Sequence, residues 1–216
     1  LPVGETPILE LLLKSLKLQG FNEAILAVGY KAELIKTYFG DGSKFGIKIT
    51  YFDENQPLST AGPVRAICDD LGFDDDVLLM NGDIITTLEF KKFVESHNKN
   101  KADLTVATTT KSMQSKYGVV QTEGNTIVKI HEKPTFTFQV SSGIYILSKN
   151  TVDLIPQSSF GMDELINKAI TSGKKVEHYP VKEYWMAVDL ISDMEEANKE
   201  LTDGKLKDWI TKLKTV

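Results

Sequence analysis

In the first eighty residues, helical and extended signals alternate with very short connections, and this limits the fold more than any other feature. Thr6-Pro7 predicts an N-cap followed by proline at the first helical position. Ile8, Leu9, Leu12, Leu13 and Leu16 then fall on one helical face, and Gly20 stops it. Residues 24–28 are a short apolar run, predicted as a buried parallel strand. A helix is predicted over 32–39, closed by Gly40-Asp41-Gly42, then a strand over 47–52, a helix over 63–71 and a buried strand over 77–80. Such alternation predicts a parallel sheet covered on both faces by helices.

The texture changes after a helix predicted over 89–97. Residues 104–109 form a Thr-rich strand. Residues 119–121 and 127–130 flank Glu123-Gly124-Asn125, a hairpin signal. A strand with Gly143 inside it is expected over 140–147, helices over 151–155 and 162–171, and extended segments over 175–180 and 184–188. Residues from 192 onward are expected to be helical, with a break at Asp203-Gly204. There is no internal repeat and no low-complexity linker. The expectation is one domain over 1–216, an α/β fold with a mixed, mostly parallel sheet.

Composition bounds function by exclusion. The chain has 216 residues and a formal net charge of −5, which argues against a general nucleic-acid surface built of clustered Lys and Arg. Cys68 is the only cysteine, so no disulfide forms within the chain and no Cys-based metal site exists. It is expected to be a small buried residue, and its solitude favours a reducing, cytoplasmic setting. No apolar run approaches the ~18 residues of a membrane span.

The chemistry concentrates in two segments. Tyr51 to Pro63 reads as a strand ending in a small-residue turn, with Gln56, Leu58-Ser59-Thr60-Ala61-Gly62 and Pro63 in order. A primary amide both donates and accepts, so Gln56 can pair with a base edge. The bland alternative is a simple turn after a strand. Some twenty residues on, Asn81-Gly82-Asp83 follows a buried apolar strand. A carboxylate there suits Mg²⁺ on nucleotide phosphates, and the alternative is an N-cap for the next element. Three decoys are set aside. Gly40 to Gly46 follows a helix and precedes a strand, the reverse of a dinucleotide site. Asp74-Asp75-Asp76 precedes its strand, so a solvated turn is expected. His97, His131 and His178 show no metal spacing.

Together these segments resemble the sugar-1-phosphate nucleotidyltransferases, in particular mannose-1-phosphate guanylyltransferase-like and glucose-1-phosphate thymidylyltransferase-like members. The resemblance implies a three-layer α/β/α sandwich of the nucleotide-diphospho-sugar transferase type. It implies a nucleoside triphosphate and a sugar-1-phosphate as partners, an NDP-sugar and pyrophosphate as products, and Mg²⁺ as cofactor. Homo-oligomerisation is left open. It assigns Gln56, Ser59, Thr60 and Gly82 to the nucleotide, with Ser59 where the family carries glycine, for close approach or positive φ. It assigns Asp83 to the metal.

Tyr117-Gly118-Val119-Val120 and Glu132-Lys133-Pro134 match a second constellation, in which Tyr117, Gly118 and Glu132 hold sugar hydroxyls and Lys133 binds the sugar phosphate. On its own, Glu-Lys-Pro would read as a solvated strand end. Ser141 and Gly143 lie in a strand that often reads Val-Asn-Ala-Gly-Ile-Tyr, with Ser141 in place of Asn. The match fails at Trp185 to Asp189, where relatives carry Trp-x-Asp-Ile-Gly. Ala187 stands at the second metal-ligand aspartate and Asp189 at the glycine, so Asp189 can substitute only if the loop re-forms. Relatives also begin with a strand and a Gly-x-Gly-Thr-Arg loop before Leu-Pro-Val, whereas this chain begins at Leu1-Pro2-Val3, which reads as N-terminal truncation. Ala187 motivates a second reading, a nucleotide-sugar-binding or regulatory relative that has lost turnover. A glycosyltransferase that consumes a nucleotide sugar is a third.

Overall fold

A computed structural model describes residues 2–202 and 204–213. In chain order the elements are β1 (Pro2–Val3), β2 (Thr6–Pro7), α1 (Ile8–Leu18), β3 (Glu23–Val28), α2 (Ala32–Phe39), a 3₁₀ turn (Ser43–Phe45), β4 (Lys48–Asp53), α3 (Gly62–Leu71), β5 (Val77–Met80) and β6 (Ile84–Thr86). There follow α4 (Phe90–Asn100), β7 (Leu104–Gln114), β8 (Val119–Glu123), β9 (Thr126–His131), β10 (Thr135–Leu147), α5 (Lys149–Val152), α6 (Met162–Thr171), β11 (Val176–Pro180), β12 (Trp185–Ala187), α7 (Ile191–Thr202) and α8 (Lys207–Leu213).

The central sheet runs β11-β7-β10-β5. β10 is antiparallel to both β5 and β7, while β7 and β11 are parallel. β3 and β4 form a separate parallel pair. Alternating residues of the central strands feed two cores. Leu78, Met80, Ile144 and Ile146 join Leu12 and Leu16 of α1 and Phe90 and Phe93 of α4 on one face. Val77, Leu79, Tyr145 and Leu147 join Val64 and Cys68 of α3 and Met162 and Leu165 of α6 on the other. Helices therefore cover both faces, as a three-layer arrangement requires. A third cluster gathers Val3, Ile8, Ile85, Met186, Val188 and Leu206 around the β6–β12 pair.

The sequence expectations differ from this structure in identifiable places. The sheet is mixed, but fewer pairings are parallel than helix–strand alternation predicts, because β10 enters antiparallel between β5 and β7. Thr6 is not an N-cap. It pairs with Val3 in the β1–β2 ladder, and Pro7 occupies the cap position with no side-chain hydrogen bond. β3 and β5 were expected to be buried; most of their residues are half-buried, and Ala27 is exposed. The break expected at Asp203-Gly204 falls between α7 and α8, with Asp203 outside the described residues. Cys68 is buried as expected, and burial pushes its thiol pKa up, away from reactivity.

Asp76, read as part of a solvated turn, has a structural partner. His97 is 2% exposed, its Nδ1 lies 2.7 Å from Thr105 Oγ1, and its Nε2 lies 3.5 Å from Asp76 Oδ2. Burial lowers the imidazole pKa, and Asp76 and Asp103 oppose this. A depressed folded-state value leaves stability complete above about pH 6.5 and drains it as pH falls through the folded value, because the unfolded chain takes the proton first. Urea denaturation is therefore expected to lose up to about 1.4 kcal/mol per pH unit through His97 in that window, and His97→Gln to flatten the loss.

Candidate active site

The turn after β4 is built by a side chain and a strained residue. The Leu58 N–H donates to Glu54 Oε2 at 3.1 Å. Leu58 O accepts from Phe160 N–H at 3.0 Å, and Phe160 O accepts from the N–H groups of Ala61 and Gly62. Thr60 Oγ1 accepts from Met162 N–H at 2.8 Å, so this hydroxyl secures the start of α6. Gly62 has no room for a side chain, since a Cβ would meet Leu58 Cβ at 2.9 Å and Ser158 O at 3.0 Å. Ser59 has φ 63°, in the left-handed region, which accounts for a preference for glycine at this position. Gln56 is exposed and makes no hydrogen bond among the described residues.

Asp83 is held by a different device. β6 pairs antiparallel with β12, with Ala187 opposite Ile84, and the Val188 N–H donates to Asp83 O at 3.0 Å. That extension carries the backbone onward so that Asp189 lies beside Asp83. Burial raises the Asp83 carboxyl above its ordinary range; a hydrogen bond with its own backbone N–H pulls the other way, and the negative Asp189 adds to the rise. Asp189 is exposed. Its N–H and that of Leu190 donate to Asp193 Oδ2 at 3.0 and 2.8 Å, which fixes the loop at the start of α7. Asp189, two residues beyond Ala187, thus stands close enough to Asp83 for its charge to act there.

Gly143 closes the same corner. Its φ is 73°, and a Cβ would meet Asn81 Nδ2 at 2.8 Å and Ile84 Cδ1 at 2.9 Å. Gly143 O accepts from Asn81 N–H at 3.0 Å, and the register of β10 slips between Ser141 and Tyr145. Ser141 Oγ lies 2.8 Å from Tyr145 Oη and accepts from Gly143 N–H at 3.3 Å. Ser142 O accepts from Trp185 Nε1 at 2.8 Å. Lys111 Nζ sits 5.1 Å from the centre of the Trp185 ring. Sequence reasoning missed Lys111 because it ended that strand at Thr109, five residues short of Gln114.

Tyr117, Gly118, Glu132 and Lys133 form their own group at the base of the β8–β9 hairpin. A Cβ on Gly118 would lie 3.1 Å from Glu132 Oε2, Ser115 N–H donates to Pro134 O at 2.9 Å, and Lys133 Nζ is 4.0 Å from Glu132 Oε1. Lys133 has φ 45°. From Thr135 to Ser141 a strand advances about 20 Å, and among the described residues no hydrogen bond or ion pair joins this group to Asp83. The site residues therefore fall into three clusters: the Gln56–Thr60 turn, the Gly82–Asp83–Ser141–Gly143–Asp189 corner, and the hairpin base.

This fold is that of a nucleotidyl transferase. A nucleotidyl transferase family model matches residues 1–204, and the chain belongs to that family. It is 31% identical over 191 residues to a mannose-1-phosphate guanyltransferase of Yarrowia lipolytica, covering 86% of this chain and 53% of that protein. It is 30% identical over 204 residues to a D-glycero-alpha-D-manno-heptose 1-phosphate guanylyltransferase of Aneurinibacillus thermoaerophilus, covering 93% of this chain and 87% of that one. The chain thus spans about half of the first relative and most of the second. Among solved structures, HddC from Yersinia pseudotuberculosis superposes with TM-score 0.73 at 25% identity, covering 94% of this chain and 88% of that one.

Two outcomes check the site's energetics. Ser59→Gly is expected to stabilise the chain by about 0.5 kcal/mol or more, as relief of ~1–2 kcal/mol of left-handed strain exceeds the added unfolded-state entropy. Asp83→Asn is expected to raise the melting temperature without divalent cations at neutral pH. A carboxyl with a raised folded pKa contributes stability below its unfolded value, and this is lost as pH rises through the folded one. The gain should therefore vanish in acid.

Proposed function

We propose that the chain transfers a nucleotidyl group from a nucleoside triphosphate to a sugar-1-phosphate. In the reaction, a phosphate oxygen of the sugar-1-phosphate attacks the α-phosphorus. The bond from α-phosphorus to the oxygen bridging to the β-phosphate breaks, an NDP-sugar forms, and pyrophosphate carries the electron pair away. The single observation that supports this most is the convergence of Asp83 and Asp189 beside the end of β5, maintained by the β6–β12 pairing. A half-buried carboxylate at Asp83 and an exposed one at Asp189 suit a hard divalent cation such as Mg²⁺, whose remaining ligands would be waters and phosphate oxygens. Among the described residues no group of three or more potential ligands forms. When bound, the cation would neutralise phosphate charge.

The chain's own residues supply the rest. Gln56 and the backbone at Ser59, Thr60 and Gly82 would receive the nucleotide. Tyr117, Gly118, Glu132, Ser141 and Gly143 would receive the sugar, and Lys133 would neutralise its phosphate. Catalysis is then alignment plus charge neutralisation, with no covalent intermediate. Residues 1–216 act as one catalytic domain in this reading. Among the described residues no helix is long and apolar enough to cross a membrane, and a lone buried Cys68 fits a cytoplasmic setting.

Ala187, half-buried opposite Ile84, supports a second reading: a chain that binds nucleotide sugars without turning over. Pyrophosphate release across a panel of nucleoside triphosphates and sugar-1-phosphates separates the two. The first reading expects Mg²⁺-dependent release that falls about 100-fold or more (roughly 2.7 kcal/mol) in both Asp83→Ala and Asp189→Ala. Saturable nucleotide binding with no release under any pairing favours the second.

A further inference from the structure

Two lysines of the β7–β10 region differ in what already answers their charge. Lys133 lies at the hairpin base with Nζ 4.0 Å from Glu132 Oε1, so a carboxylate partly neutralises it. Lys111 is exposed, and no carboxylate pairs with it among the described residues. Its Nζ sits instead 5.1 Å from the centre of the Trp185 ring.

That ring is fixed. Trp185 Nε1 donates to Ser142 O at 2.8 Å, its backbone pairs with Thr86 in the β6–β12 ladder, and its side chain packs on the core shared with α1 and α4. Ser142 is buried, and its hydroxyl donates to Ala107 O at 2.8 Å. The next residue, Gly143, abuts Asn81 and Ile84, which flank Gly82-Asp83. Contacts therefore run without a break from Lys111 through Trp185, Ser142 and Gly143 to the residues on either side of Asp83. Lys111 arrives along an apolar strip. It lies opposite Phe138 in the β7–β10 register, and strand alternation puts Met113 and Phe136 on the same face. The rings of Phe136 and Phe138 stack with centroids 6.4 Å apart. These side chains offer the ammonium no hydrogen-bond acceptor.

A cation over an exposed aromatic ring is held weakly, whereas a phosphate oxygen forms a charge-assisted hydrogen bond with it. The Trp185 ring therefore keeps the ammonium close by and yields it to a stronger acceptor, and the flexible lysine stem permits the swing. A phosphate monoester carries about −1.5 to −2 charges at pH 7, and Asp83 and Asp189 add negative charge to the same corner, so a second ammonium has charge to neutralise. We propose that Lys111 binds the phosphate of the sugar-1-phosphate as that group reaches the Asp83–Asp189 corner, with Trp185 holding the ammonium ready beforehand. Lys111 acts at the corner itself, in addition to Lys133 at the hairpin base. The inference deepens the proposed transfer and rests on it for the identity of the anion, while the choice of Lys111 rests on the contacts above.

The chain has two tryptophans, so Trp209→Phe leaves Trp185 as the only reporter. In that background its emission is expected to change saturably with mannose-1-phosphate or glucose-1-phosphate, and not with the free sugars. Lys111→Met should raise the dissociation constant about tenfold or more, and Lys111→Arg, which keeps the charge, should recover most of the affinity. In a pyrophosphate-release assay, Lys111→Met should raise KM for the sugar-1-phosphate about tenfold and leave KM for the nucleoside triphosphate within about twofold. Loss of affinity for both substrates together, or with a lowered melting temperature, assigns Lys111 to structure and overturns the proposal. So does the absence of any saturable Trp185 response in the parent. Release that continues with unchanged KM in Lys111→Met overturns the inference and leaves the transfer reading standing. Lys111-dependent binding without release under any pairing upholds the inference and overturns the transfer reading.

Discussion

The short antiparallel pairing of Ile84–Thr86 with Trp185–Ala187 is the constraint on which the site depends. It joins residues a hundred positions apart, and its last rung, Val188 N–H to Asp83 O, places two acids at one corner. Around it, Ile85, Met186 and Val188 are nearly fully buried against Val3 and Ile8. The Thr86 hydroxyl accepts from Leu88 N–H and donates to Tyr184 O. A three-residue ladder is weak alone; packing on that third core is what maintains it.

The same corner shows how function sets limits on packing. Gly143 must lack a side chain because Asn81 and Ile84 occupy its space, so a residue the resemblance ties to sugar is also required by the geometry of the β5 terminus. Thr60 likewise secures α6 from within the turn proposed to face the nucleotide. In the proposed reading, substitutions at either position would disturb structure and binding together, whereas Gln56, exposed and without hydrogen bonds among the described residues, can act on ligand alone.

The parts of the fold readable from sequence were those carried by local pattern. The helix over 32–39, the strand over 77–80 and the helix over 162–171 match α2, β5 and α6 at both ends, because apolar spacing and Gly or Pro punctuation mark them. Strand direction was not readable: nothing in Val140 to Leu147 states that it will run antiparallel to β5. Three-residue β6 was invisible for the same reason, since its partner lies in another part of the chain. At the site, Ser59 in a glycine position announced its positive φ, and Asp83 its place at a strand end. The placement of Asp189 near Asp83 rests on a loop fixed by Asp193, which spacing alone does not state. Lys111 gave no signal.

The central claim is that Asp83 and Asp189 form one cation-binding corner. Adding Mn²⁺ with a nucleoside triphosphate and recording paramagnetic broadening of backbone amides tests it directly. The account expects Gly82 to Ile84 and Val188 to Leu190 to broaden together, at the same cation concentration, and both effects to disappear in Asp83→Asn. Broadening confined to one of the two segments, or centred elsewhere on the surface, would contradict it.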